Sequence, residues 1–469
     1  MSPVHDFDLL VIGSGPAGKH AAIQAAKLGR RVAICERAAV VGGVCVNTGT
    51  IPSKTLREAV MYLGGWREQA NYGASYQAKQ HITVNDLLFR ADRVVQAEID
   101  VTRSHLMRND VEIITGHAEF TGPHELRITH PEGRGERVVT ASHVIIATGT
   151  SATTNPKIPF DGRWVLTSDD VLTLDRLPRT MAVIGAGVIG IEYASIFAAL
   201  GVRVTLIDRR PRILPFVDGE IVDALMYHLR ERRMTAWLGE DVDSIEHHDG
   251  ANGERVCIKL GSGKEVLAEC VLYSIGRTGA TGSLNLEAAG ITAGERGLLS
   301  VNEHFQTQAP HVYAVGDVIG FPSLASTSME QGRLAACHAF GITTPMVHDV
   351  LPYGIYAIPE ISMVGRTEEE LTSAGIPYEV GKARYREIAR GMIAGDTTGI
   401  LKLIFHRDTR ALLGVHILGE GATELVHIGQ AVLTLGGTID YFVNSVFNYP
   451  TLAECYKTAA FDGVNRLAG

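Results

Sequence analysis

Two stretches of this chain repeat one pattern of apolar and polar positions. DFDLLVIGSGPAGKHAAIQAAKLGRRVAICER opens on an apolar run, passes Gly13, Gly15 and Gly18, runs into a helix and returns in a second apolar run ending at Glu36. TMAVIGAGVIGIEYASIFAALGVRVTLIDR does the same around Gly185, Gly187 and Gly190 and ends at Asp208. Each predicts strand, turn, helix and strand, the unit of a parallel sheet. Two more strand-like segments, SHVIIATGT (142–150) and HVYAVGDVIG (311–320), end in small residues. From about residue 346 the pattern changes. IYAIPEISMVG and LKLIFHRDTRALLGVHILG read as antiparallel strands joined by turns, followed by helical ATELVHIGQAVLTLGG. The expected division is therefore 1–150 with the return segment 281–345 for a first nucleotide-binding domain, 151–280 for a second, and 346–469 for a separate C-terminal domain, with TSATTNPKIP (150–159) as a short crossover.

Composition narrows the function classes. A length of 469 residues exceeds what one core usually organises. Hydrophobic residues make up 45% and charged residues 20%, and no apolar run is long enough to span a bilayer. A net charge of -9 argues against nucleic-acid or membrane partners and for small molecules. The start lacks the basic and apolar regions of a secretory leader, so a cytoplasmic protein is expected. Cysteines 35, 45, 257, 270, 337 and 455 form no C-x-x-C pair; five read as small buried hydrophobes, and no metal site is expected.

The repeats carry chemistry. In a G-x-G-x-x-G turn the first glycine permits the tight bend, the second lets the backbone approach a pyrophosphate, and the third allows close packing of helix on strand. The helix start then offers free N–H groups, and an acid about 20 residues on accepts a ribose hydroxyl. In both copies the acid lies 23 residues after the first glycine, so two dinucleotides are expected. Pro16 suits a first helical turn. Asp317, just past a strand, is placed to hold a polyol or to cap a helix. The second repeat ends in IDRRPR: Asp208 favours an unphosphorylated ribose, whereas Arg209, Arg210 and Arg212 offer donors to a 2'-phosphate or form a solvated turn.

Together with GGVCVNTGTIPSK (42–54), ATG (147–149) and YAVGD, these repeats resemble, over nearly the whole chain, the two-dinucleotide flavoprotein disulfide reductases, the family of glutathione reductase and lipoamide dehydrogenase. The resemblance implies an α/β fold of two Rossmann-like domains, binding FAD and NAD(P), plus a C-terminal α+β interface domain that forms a homodimer. It implies that Glu36 binds the adenosine ribose, that Asp317 binds the ribityl chain, and that Lys54 stands near the flavin, paired with Glu192. Gly43, Cys45, Thr50, Ala118, Thr148, Gly149 and Gly276 complete the implied cofactor-binding set, and Glu454 and Asn448 the implied catalytic one.

The chain departs from that family twice. Thr50 stands where a second cysteine would follow Cys45, and Asn448 stands where a histidine would precede Glu454. A dithiol relay needs two thiols within bonding distance, which argues against disulfide reduction. CVNTGTIPSK with FNYPT, supported by SMEQGRLAA and ARYREIARG, is similar to the soluble pyridine nucleotide transhydrogenases of the same superfamily. That similarity implies ping-pong transfer of hydride from NADPH to NAD through the flavin, with assembly beyond a dimer left open. The alternatives are a flavoenzyme that reduces oxygen, a quinone or a disulfide, and a non-catalytic nucleotide sensor. Cys45 stays open between a packed remnant and a redox-active thiolate.

Overall fold

The computed structural model describes residues 5–73, 75–131, 133, 135–250, 253–344 and 350–467. The boundary expected near residue 346 lies outside the described residues. The chain divides into two compact units: Met1–Thr55 with Leu88–Thr153 and Gly276–Met346, and Leu56–Leu87 with Thr154–Ile275 and Val347–Gly469.

In the first unit the apolar run Phe7–Ile12 is a central strand. It pairs in parallel with Val32–Glu36 on one side and with Glu136–Ile146 on the other. Leu9, Leu10 and Val11 are fully buried, as expected for a parallel strand covered on both faces. Glu112–Thr115 extends the sheet, Val312–Ala314 joins Glu136–Ile146 in parallel, and Glu125–Thr129 and His117–Phe120 add an antiparallel flap. The helix Pro16–Lys27 begins with proline and buries a stripe of Ala17, Gly18, Ala21, Ala22 and Ala25. Small residues bring it close to the helix Ala325–Ala339, where a Cβ on Gly332 would lie 2.1 Å from the Ala17 carbonyl oxygen.

In the second unit five parallel strands run in the order Thr235–Leu238, Arg203–Asp208, Thr180–Ile184, Cys270–Tyr273, Val165–Leu166. The helix Val188–Ala199 is buried on every side from Gly190 to Ala198, which accounts for its nearly unbroken apolar sequence. A three-stranded meander spans Val242–Gly250, Gly253–Leu260 and Glu265–Ala268. The C-terminal part of the unit is a five-stranded antiparallel sheet, ordered Tyr353–Ile355, Ile361–Gly365, Leu412–Leu418, Ile400–His406, Tyr378–Arg384. Inside it Lys402 is buried and ion-paired with Asp218, Glu220 and Glu368. Among the described residues no helix is long and apolar enough to cross a membrane.

Candidate dinucleotide and redox site

The first fingerprint makes a loop in which each glycine answers a separate steric demand. Gly13 has φ +104°, and a Cβ there would sit 2.4 Å from the Ala147 oxygen. A Cβ on Gly18 would sit 1.9 Å from the Gly13 oxygen, so this glycine seats helix on strand. Gly15 caps the helix and faces open space, with nothing within 4 Å of its Cβ position. The helix start is thus bare toward a cavity of about 190 Å³. Gly13, Gly15, Glu36, Gly43, Cys45, Thr50, Ala118, Thr148, Gly149 and Asp317 all line that one cavity. Gly18 lies behind the loop, and Gly276, at φ +144°, also lies off the lining.

Glu36 is buried at the carboxyl end of its strand. Its Oε2 accepts from Ser14 N (3.0 Å) and Ser14 Oγ (2.6 Å), and its Oε1 accepts from Ala38 N (2.9 Å). Ser14 Oγ in turn accepts from Gly42 N at 2.9 Å. One carboxylate therefore ties the fingerprint loop to the cysteine-bearing segment. Asp317 lies within the first turn of a short 3-10 helix, Gly316–Ile319, whose cap is Val315, so the capping role is not the one it takes. Burial pushes its carboxyl up, against the opposing charge of Arg277 and hydrogen bonds from Ser328 and Thr150. Arg277 itself donates to Thr150 Oγ1 and Thr150 O, both at 2.8 Å.

Cys45 belongs to the short helix Gly43–Asn47, and Lys54 to the helix Thr50–Leu63. Burial pushes the Cys45 thiol up; a hydrogen bond from Thr50 and the charges of Lys54 and Lys19 oppose this, while Asp317 adds to it. Thr50 thus places a hydroxyl, not a second thiol, on the cavity wall that Cys45 also lines. All six cysteines are free, and the other five are buried.

These residues fit FAD. Thr148 Oγ1, on the cavity wall, is buried without a hydrogen-bond partner among the described residues, and Gly15 and Gly149 leave space where any side chain would intrude. Backbone donors at the helix start suit a pyrophosphate, and the carboxylates of Glu36 and Asp317 suit hydroxyls. Ser14, Arg277, Thr150 and Ser328 were missed from sequence. Ser14 carried a signal, a hydroxyl inside the fingerprint, and Arg277 directly follows Gly276 and opens the short strand Arg277–Gly279.

The second fingerprint has the same geometry. Gly185 has φ +103°, Gly187 caps its helix and faces open space, and a Cβ on Gly190 would meet the Gly185 oxygen at 1.8 Å. Asp208 Oδ2 accepts from Ala186 N at 2.6 Å. Arg210 grips the same carboxylate with two nitrogens, Nε to Oδ1 at 3.0 Å and Nη2 to Oδ2 at 2.7 Å. Burial alone would raise the Asp208 carboxyl, but these donors hold it below the usual carboxylate range. Arg212 is 3.7 Å from Glu369 and 3.9 Å from Asp223, whereas Arg209 is exposed and has no carboxylate partner among the described residues. Of the three arginines expected to offer donors, Arg209 alone is uncommitted.

Glu192 is buried in the second fingerprint helix, and its Oε1 accepts from Tyr356 N at 2.8 Å. Asn448 is exposed; its carbonyl accepts from Thr451 Oγ1 at 2.7 Å. Glu454 Oε2 is buried without a partner, and no hydrogen bond joins the side chains of Asn448 and Glu454 among the described residues.

Residues 7–332 match the pyridine nucleotide-disulphide oxidoreductase family, and residues 351–460 match its dimerisation domain. The chain is 53% identical over 464 residues to a soluble pyridine nucleotide transhydrogenase of Mycobacterium tuberculosis, covering 99% of this chain and 98% of that one. It is 45% identical over 472 residues to a soluble pyridine nucleotide transhydrogenase of Colwellia psychrerythraea, covering all of both chains. Among solved structures it is similar to LpdA from Mycobacterium tuberculosis (TM-score 0.88, 26% identity, 97% of this chain and 99% of that one). It is also similar to the HOCl-induced flavoprotein disulfide reductase RclA from Escherichia coli (TM-score 0.86, 28% identity, 97% and 99%).

Proposed function

The chain belongs to the pyridine nucleotide-disulphide oxidoreductase family, and from that premise we propose that it is an FAD-dependent transhydrogenase, passing reducing equivalents from NADPH to NAD in a ping-pong cycle. The observation that carries the reading is that Cys45 and Thr50 line one wall of the flavin cavity, so a hydroxyl stands where a redox dithiol would need its second sulfur. A hydroxyl forms no disulfide with Cys45, which favours an exit for electrons through a second nicotinamide nucleotide. The names of the full-length relatives at 45–53% identity point the same way.

Bound FAD supplies a two-electron carrier that both nicotinamide nucleotides can reach in turn. The chain's part is to bind, orient and compensate charge. The helix start at Gly15 and the carboxylates of Glu36 and Asp317 bind FAD, and the helix start at Gly187 with Asp208 binds the nicotinamide nucleotide. Arg209 is the uncommitted cation for a 2'-phosphate. Lys54 supplies positive charge to the redox end of the cavity, where its field acts on Cys45. Glu192 is assigned a positioning role and is held in place through Tyr356 N. The match of residues 351–460 to the dimerisation domain supports a homodimer to which Glu454 and Asn448 contribute. Six free cysteines support a cytoplasmic setting.

The test is anaerobic. The holoenzyme is reduced with NADPH, then mixed with thio-NAD, and flavin absorbance is followed. Stoichiometric reoxidation with formation of reduced thio-NAD is expected. Reoxidation by oxygen alone would make the protein an oxidase, and no bleaching by NADPH would make it a nucleotide-binding protein without turnover. Lys54→Ala should slow flavin reduction about 100-fold, from the loss of a few kcal/mol of electrostatic stabilisation; an unchanged rate removes Lys54 from the mechanism.

A further inference from the structure

The amino-terminal edge of the parallel sheet in the second unit carries a cavity that the nucleotide chemistry does not use. Strand register builds it. Arg203 pairs with Thr180, Thr205 with Thr235, and Cys270 with Met181, so the beginnings of these strands share one edge. Gly185 and Asp208 stand at the other edge, beyond the carboxyl ends where dinucleotides bind.

The cavity, about 570 Å³, is lined by Arg179, Arg203, Arg233 and Arg255, and among the described residues Glu269 is the one acid on its wall. The arginines come from four separate segments: before Thr180–Ile184, at the start of Arg203–Asp208, before Thr235–Leu238, and from the meander strand Gly253–Leu260. Among the described residues none of the four has a carboxylate within ion-pair distance. Glu269 is occupied otherwise, its Oε2 accepting from Arg179 N at 3.0 Å. Four guanidinium groups facing one carboxylate leave an excess of about three positive charges, and such groups repel one another unless an anion joins them.

Arg233 adds an independent observation. The helix Gly219–Glu231 ends at its cap Arg232, and Arg233 follows with φ +62°. This is the left-handed position after a helix where glycine is the favoured residue. An arginine there is backbone strain that glycine would relieve, and its side chain lines the basic cavity.

We propose that this cavity binds a multiply charged phosphate group, an oligophosphate or a phosphorylated small molecule with about three negative charges, at a site separate from both dinucleotide clefts. Guanidinium forks match phosphate oxygens two at a time, and four of them around one space select a compact polyanion over a monovalent ion.

The holoenzyme, titrated calorimetrically with inorganic tripolyphosphate at constant ionic strength, should show saturable binding that saturating NADH does not abolish. Fructose 1,6-bisphosphate, run in parallel, separates a phosphate-ester ligand from an inorganic one, and sulfate sets the background. Arg203→Gln and Arg255→Gln should each weaken tripolyphosphate about tenfold, the loss of one charged fork. Arg233→Gly should weaken it comparably while raising the melting temperature of the ligand-free protein, an effect that misfolding cannot imitate. The proposal is overturned if tripolyphosphate binds no better than sulfate, if all three variants bind it as the parent does, or if NADH displaces it.

Discussion

The two fingerprint loops share a backbone and differ in how they hold their acid. Gly13 and Gly185 have φ +104° and +103°, and Gly18 and Gly190 would place a Cβ 1.9 and 1.8 Å from the preceding loop oxygen. Glu36 is held by neutral donors, Ser14 and the Ala38 amide, whereas Asp208 is held by the Ala186 amide and by the charged fork of Arg210. The glycines dictate where a pyrophosphate can lie. The residues between them and just after the acid dictate what charge the ribose end tolerates. A neutral ring of donors suits a permanently held cofactor with bare hydroxyls. A carboxylate already neutralised by arginine, with Arg209 exposed beside it, suits a site visited by nucleotides with and without a 2'-phosphate.

The largest expected effect tests the backbone half of this comparison. Gly18→Ala and Gly190→Ala each drive a methyl into a carbonyl oxygen and should cost about 3 kcal/mol, the upper end of overpacking penalties. Gly18→Ala should purify without flavin. Gly190→Ala should retain flavin that NADPH no longer bleaches, and equal flavin loss in both variants would remove the separation of roles.

Next is Arg277→Ala. It strips Asp317 of its opposing charge in a buried setting, so FAD affinity, measured by flavin release on dilution, should fall about 10- to 100-fold. The matching change at the other pole, Arg210→Ala, should leave flavin content as it is. A variant that keeps its flavin as tightly as the parent would show that Asp317 needs no counter-charge.

Arg210→Ala should instead raise KM for NADPH about three- to tenfold, more than for NADH, because it leaves Asp208 with an uncompensated charge. Asp208→Asn should lower KM for NADPH. A pH effect accompanies it. The folded carboxyl of Asp208 sits below its unfolded value, so its stabilising contribution is present above the ordinary carboxylate range and is lost as pH falls through the folded value. Arg210 is 42% exposed, so the contribution is about 1 kcal/mol or less. Acid unfolding followed by circular dichroism should be slightly less steep in Asp208→Asn, and an identical acid limb would show that the pair is solvated away.

The smallest effect is expected at Cys45. Cys45→Ala should leave transhydrogenation within about twofold, since a thiol held neutral by burial is a weak nucleophile. Alkylation of the apoprotein at Cys45 should accelerate only above the ordinary thiol range. Rapid modification at neutral pH would mean that Lys54 and Lys19 outweigh burial there.

Much of the local architecture was legible in the order of residues. Unbroken apolar runs marked strands buried on both faces, glycine spacing marked the loops, and the change of pattern past residue 346 marked the antiparallel sheet, because burial of a strand or helix face writes its own period into the chain. Pairings across long separations were not legible. Nothing local couples Ser14 to Glu36 or Arg277 to Thr150 and Asp317, since each depends on which side chains the folded sheet brings together. The grouping of Leu56–Leu87 with the second unit is of the same kind.

The residues in order were enough to mark two glycine loops, the acid that follows each and a threonine at position 50, because steric and covalent requirements act over a few neighbouring positions. Only folding decided which donors satisfy those acids and that four arginines from distant segments surround one space. Charge and hydrogen bonding act through distance in space, and register between strands sets that distance.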